Sequence, residues 1–143
     1  MFTLDFKVRD YECDIQGIVN NSAYQNYLEH ARHEFLLEKG IDFAEFHRQG
    51  KDLVVTRAEL DYKASLRPGD LFYVAIKLER QGSIRFTFVQ NIYRKSDNKI
   101  VLKARITGVC VVDGKPRIDD ELMSLLFAGP VHKDSPGELE DIV

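Results

Sequence analysis

Phe2, Leu4, Phe6 and Val8 alternate with Thr3, Asp5, Lys7 and Arg9, and this period of two predicts an opening strand with one buried face. The period then changes. Tyr24, Tyr27, Leu28, Ala31 and Phe35 recur at spacings of three and four, apart from one adjacent pair, and this predicts a long helix over residues 22–39 with a single apolar stripe. Ser22-Ala23-Tyr24-Gln25 offers a capping box at its start, and Lys39 followed by Gly40 supplies the stop signal. Residues 42–48 form a short second helix closed by Gly50. Period two then returns. Val54, Thr56, Ala58, Leu60 and Tyr62 share one strand face, and Phe72, Val74, Ile76 and Leu78 share the next. Ile84, Phe86 and Phe88 begin a strand that ends near Arg94, and residues 100–112 form a long apolar-rich strand.

The punctuation between these runs is short: Arg67-Pro68-Gly69-Asp70, Gln81-Gly82, Ser96-Asp97-Asn98 and Asp113-Gly114-Lys115-Pro116. Tight turns between long strands predict an antiparallel sheet. A short helix starting at Asp119-Asp120-Glu121 runs through Leu126, and from Ala128 the chain reads as a loose tail. The expected organisation is one domain, residues 1–127, and a flexible tail, residues 128–143. The expected fold class is α+β, with one long helix facing a five-stranded antiparallel sheet. One helix does not cover both faces of such a sheet, so a subunit contact through its edge or open face is expected.

Composition narrows the setting. The chain of 143 residues is long enough for a real core and too short for two domains. No run approaches the ~20 apolar residues of a membrane helix, so no membrane partner is expected. The start lacks a basic segment and carries Asp5 early, unlike a secretory signal. Two distant cysteines, Cys13 and Cys110, do not suggest a disulfide framework, and a cytoplasmic location follows as the expectation. A net charge of -3 argues against bulk attraction to nucleic acid.

The segment Asp14-Ile15-Gln16-Gly17-Ile18-Val19-Asn20-Asn21 places a carboxylate just before a helix start. Ile15, Ile18 and Val19 are positioned to desolvate Asp14 and make it a better base. The unpaired amides of a helix N-terminus can stabilise an oxyanion, and Gly17 permits close backbone approach. The alternative is structural: Asp14 caps a turn and the asparagines cap the helix. Glu29 and Glu34 are rival acids, although Glu29 and His33 also read as an ordinary i, i+4 pair. His30, His33 and Glu34 have the order His-x-x-His-Glu rather than His-Glu-x-x-His, so no metal site is expected. Cys13, between Glu12 and Asp14, is disfavoured as a thiolate. Arg80, Ser83 and Arg85 flank a hairpin and could hold phosphates or serve solubility, and Tyr24, Tyr27 and Leu28 suit either an acyl pocket or the helix core.

Asp14-x-x-Gly17-Ile18-Val19-Asn20-Asn21-x-x-Tyr24, the helix with Ala31-Arg32, and Arg67-Pro68-Gly69-Asp70 resemble the hotdog-fold acyl-CoA thioesterases, closest to the 4-hydroxybenzoyl-CoA thioesterase-like family. The resemblance spans residues 4–126. It implies a sheet wrapped around the long helix, paired protomers in a homodimer or homotetramer, and active sites at their interface. It also implies that Asp14 is the nucleophile or general base and that the Asn21 amide polarises the thioester carbonyl. The nucleotide of coenzyme A would lie near the hairpin of Arg80, Ser83 and Arg85. Coenzyme A enters only as part of the substrate, and no separate cofactor is implied. Several relatives carry histidine or tyrosine where this chain has Asn21. The asparagine pair instead resembles acyl-carrier-protein thioesterases, so the carrier is either coenzyme A or acyl carrier protein. Two rivals are a hotdog dehydratase, disfavoured because no histidine precedes the helix, and a module that binds acyl thioesters without turnover.

Overall fold

The computed structural model describes residues 1–127, and the expected tail, residues 128–143, lies outside the described residues. The chain runs β1 (Phe2–Lys7), a 3-10 turn (Asp10–Glu12), α1 (Asn21–Glu38), α2 (Phe43–Arg48) and β2 (Lys51–Tyr62), then β3 (Leu71–Gln81), β4 (Arg85–Arg94), β5 (Ile100–Val112), β6 (Lys115–Pro116) and α3 (Asp120–Phe127). The strand order is β1-β3-β4-β5-β2, with β6 attached to β5. Every pairing is antiparallel. The five long strands fall where the alternation predicts them, but the single face expected for Val54, Thr56, Ala58, Leu60 and Tyr62 does not form: a β-bulge between Val55 and Arg57 inserts one residue against β5 and puts Val54 and Ala58 on opposite faces. The two-residue β6 is an addition: Asp113 (φ 50°) and Gly114 (φ 82°) both adopt positive φ and turn β5 back on itself as a hairpin. Among the described residues no helix is long and apolar enough to cross a membrane.

α1 departs from expectation at its start. The N-cap is Asn20, not Ser22, and the Ser22–Gln25 capping box does not form. The reason lies outside the helix. The Val19 N–H donates to the Leu66 carbonyl (2.9 Å) and the Asn20 N–H to the Glu12 carbonyl (3.0 Å), so the chain stays extended through Asn20 and turns helical there. The other end matches. Gly40 (φ 82°) donates to Leu37 O (3.0 Å) and Ile41 to Leu36 O (2.9 Å), the paired bonds of a Schellman stop.

The sheet curls around α1. The helix buries Ala23, Tyr24, Tyr27, Leu28, Ala31, Phe35 and Leu36 against it. The facing rows are Phe72, Val74 and Ile76 of β3, Phe86, Phe88 and Ile92 of β4, and Leu102, Ala104 and Ile106 of β5. Each fully buried Leu, Ile or Phe here contributes about 1.5–3 kcal/mol relative to exposure. Gln90 interrupts the β4 row. It is fully buried and donates from Nε2 to the Leu28 carbonyl of α1 (3.0 Å). The outer face is partly closed by its own side chains, with Thr87 and Thr107 hydroxyls 3.0 Å apart and an Arg105–Glu79–Lys77 ion-pair chain. β2 is different. It is an outer strand, and Val54 and Val55 remain 43% and 50% exposed.

Candidate active site

The Asp14 loop is a tight hairpin. Cys13 bridges Val19, the Asp14 N–H donates to Ile18 O (2.9 Å), and the Gly17 N–H returns to Asp14 O (3.0 Å). Gly17 has φ +76°, the left-handed conformation that favours glycine. A Cβ there would meet nothing within 4 Å, so in this chain the turn, rather than crowding, requires glycine.

Asp14 is half-buried. Its Oδ1 accepts the Gln16 N–H at 2.8 Å and, at long range, the Ile18 N–H at 3.5 Å. One carboxylate oxygen therefore caps the turn, as the structural reading expected. Among the described residues Oδ2 has no hydrogen-bond partner. Of the three apolar neighbours expected to desolvate Asp14, Val19 is buried and Ile18 half-buried, but Ile15 is fully exposed, because it occupies the outward tip of the hairpin.

The helix start beside this loop is uncapped. Asn20 makes no side-chain cap, and Asn21 is the exposed first helical residue. The Ala23 N–H turns back to Asn20 O (3.0 Å), while among the described residues no acceptor meets the amides of Asn21 and Ser22. These are orphan donors at the positive end of the helix dipole.

Tyr24 and Leu28 belong to the core, where the Tyr24 hydroxyl accepts the Leu66 N–H at 3.2 Å. Tyr27 is also buried but lines a groove of about 430 Å³ between β1 and α1, shared with Phe6, Asn26 and His30. There its hydroxyl donates to Glu12 Oε1 at 2.8 Å, and burial followed by this bond pushes its pKa well up. Burial, and then the charges of Glu12 and Asp14, also raise the Cys13 thiol pKa, which disfavours the thiolate. His30 lies 3.9 Å from Glu34, whereas His33 meets the Phe43 ring edge-on at 5.1 Å, so the two histidines have different neighbours.

Arg80, Ser83 and Arg85 sit at the β3–β4 hairpin, all exposed, with the Arg80 guanidinium 5.3 Å from the Phe127 ring centroid. The Asp14 loop docks on Leu66, just before β3 begins. Ten strand steps of ~3.3 Å, about 33 Å, separate Leu71 from Gln81. Within one protomer the hairpin and Asp14 therefore stand at opposite ends of the sheet.

A second cavity, of about 120 Å³, opens between the C-terminal half of α1 and β2. Phe86, Phe88 and Ile106 are among its apolar walls, and Glu29, Arg32 and His33 contribute its polar lining. Arg32 and Gln90, whose side chains bond at this point, lie outside the periodic apolar positions, as does Gly108; of the three only Arg32 entered the sequence reading, as part of the family resemblance. A polar residue in the Phe86-Phe88-Ile92 row and a glycine within a strand were the signals available. A Cβ on Gly108 would lie 2.8 Å from Val54 O and 3.1–3.2 Å from the Phe86 ring. Gly108→Ala is expected to destabilise the fold by about 1–3 kcal/mol through overpacking, a loss read by urea denaturation.

The chain matches the family model of the thioesterase-like superfamily over residues 8–126. It is 36% identical over 115 residues to the chloroplastic acyl-acyl carrier protein thioesterase ATL3 of Arabidopsis thaliana, covering 80% of this chain and 60% of the relative. It thus spans about three-fifths of that relative's length. It is 29% identical over 105 residues to the long-chain acyl-CoA thioesterase FadM of Escherichia coli, covering 73% and 79% of the two chains. The crystal structure of a hypothetical protein from Aquifex aeolicus superposes with a TM-score of 0.82 at 34% identity, covering 88% of this chain and 99% of that one.

Proposed function

This chain belongs to the thioesterase-like superfamily, with the hotdog fold, and we propose that it hydrolyses acyl thioesters to a free acid and a thiol. The observation that carries this reading is that Asp14, whose Oδ2 is uncommitted, and the open amides of Asn21 and Ser22 belong to one hairpin and the helix start it leads into. The amides hold the thioester carbonyl oxygen and stabilise the negative charge it gains. Asp14 attacks the carbonyl carbon or takes a proton from the water that does. The carbon–sulfur bond breaks, the sulfur leaves as thiol, and water supplies the hydroxyl of the acid. Asn21 contributes its backbone amide, and its side chain is no proton donor near neutral pH.

The site is completed by a second copy of the chain. β2 offers an unpaired outer edge with Val54 and Val55 exposed. Two-fold antiparallel pairing along β2 sets the Lys51 end of one copy beside the Tyr62 end of the other. The Asp14 loop belongs to the Tyr62 end, through Tyr24 and Leu66. The Arg80–Arg85 hairpin and the 120 Å³ cavity belong to the Lys51 end, because Arg85 pairs with Val109 and Lys51 with Val112. Pairing thus brings each Asp14 to the partner's hairpin and cavity. In this arrangement Arg80, Ser83 and Arg85 meet the phosphate of the carrier, which coenzyme A and acyl carrier protein both present. The two cysteines, both free thiols, fit a reducing cytoplasmic setting.

The test is a panel of acyl-CoA and acyl-carrier-protein substrates with a free-thiol readout. Release of thiol is expected. Binding without release would instead mark a non-catalytic module, and loss of water without thiol would mark a dehydratase.

A further inference from the structure

Arg32 is a half-buried cation on α1 that lines the 120 Å³ cavity. A guanidinium carries five N–H donors in a planar fork. Among the described residues Arg32 makes one hydrogen bond, from Nη1 to Gln90 Oε1 at 2.9 Å. Gln90 is itself fully buried and anchored through Nε2 to the Leu28 carbonyl, so its oxygen is held toward Arg32. No ion pair among the described residues includes Arg32. Burial pushes its pKa down, with the Glu29 carboxylate pulling the other way. A partly desolvated guanidinium with unmatched donors is costly unless an acceptor meets them.

The surroundings limit what that acceptor is. Phe86, Phe88, Leu36 and Ile106 form apolar walls, with Glu29 and His33 as the remaining polar lining; the walls suit hydrocarbon and would leave a phosphate poorly solvated. The volume holds a few heavy atoms rather than a nucleotide. The apolar part of a thioester substrate is its acyl group. Resting on the thioesterase reading above, we propose that Arg32 is a specificity residue that receives an acceptor oxygen carried by the acyl group (keto, hydroxyl or carboxylate), while the aromatic walls take the adjoining carbons. Gln90 is the positioning residue that holds the guanidinium in place.

The experiment compares acyl-CoA substrates of matched length with and without such an oxygen, in the wild-type chain, Arg32→Gln and Arg32→Lys. The wild-type kcat/KM is expected to favour the oxygen-bearing series by at least about tenfold. Arg32→Gln should collapse that ratio by a similar factor, mainly through KM. Arg32→Lys should retain part of it for the carboxylate, since charge survives while the planar fork is lost. Equal or better turnover of plain acyl chains by the wild type overturns the proposal. So does an Arg32→Gln variant that loses activity on both series in proportion, the mark of a purely structural arginine. If that variant does not fold, the wild-type ratio and Arg32→Lys decide. Absence of thiol release from every substrate is a separate outcome, which overturns the hydrolase reading itself.

Discussion

Asp14→Asn is expected to lower kcat/KM for thioester hydrolysis about 10³-fold or more, while the melting temperature stays near that of the wild type. The substitution separates the turn-capping role of this side chain from the proposed catalytic one. The amide oxygen of asparagine still accepts the Gln16 N–H that Asp14 Oδ1 now takes at 2.8 Å, so the hairpin keeps its turn. What disappears is the charge and basicity of Oδ2. Asparagine neither forms an acyl-enzyme anhydride nor takes a proton from water. The Asn21 and Ser22 amides remain, so residual turnover above the uncatalysed rate is expected from carbonyl polarisation alone. Thiol release measures the rate, and a thermal melt checks the fold. An Asp14→Asn enzyme with full activity would sink the assignment. A single turnover in ¹⁸O-water distinguishes the two forms of the step: label reaches the Asp14 carboxylate only if Asp14 attacks the carbonyl and water then attacks Asp14 in part.

Hybrid dimers are expected to recover activity that neither parent has. Asp14→Asn removes the proposed nucleophile or base, and Arg80→Glu with Arg85→Glu reverses the charge at the hairpin. The ~33 Å of β3 between the two regions prevents one protomer from supplying both to one thioester. In a hybrid, the charge-reversed chain still carries Asp14 and the Asp14→Asn chain still carries both arginines. Paired along β2, they rebuild one intact site of two. Random re-association of equal amounts should therefore restore about a quarter of wild-type turnover, since half the dimers are hybrids. If mixing restores nothing, Asp14 and the hairpin do not meet across this interface.

The sequence was most legible where chemistry is local. Alternation along Phe72–Leu78 and the three-four spacing from Tyr24 to Phe35 are properties of single elements, and both appear as expected. Gly40 stops α1 because a positive φ is needed there, a local requirement. Ser22 failed as a cap for the opposite reason. The helix start is fixed by Leu66 and Glu12, residues distant in sequence, and a capping signature does not register such bonds. The turn-capping and catalytic readings of Asp14 looked exclusive in sequence. In the fold Oδ1 caps the turn while Oδ2 has no partner among the described residues, so the two readings are compatible.

Periodicity and turn chemistry by themselves determined the order of elements, the antiparallel sheet, the long helix and the place of Asp14 at its start, because each depends on neighbours a few residues away. Only the tertiary structure decided that β2 lies at the edge with Val54 and Val55 uncovered, that the Arg80–Arg85 hairpin stands a strand's length from Asp14, and that Arg32 is held by Gln90 beside a cavity with aromatic and aliphatic walls. Those facts depend on strand order and on side chains 58 residues apart in sequence meeting across a helix–sheet contact, and packing of the whole chain, not local pattern, sets such contacts.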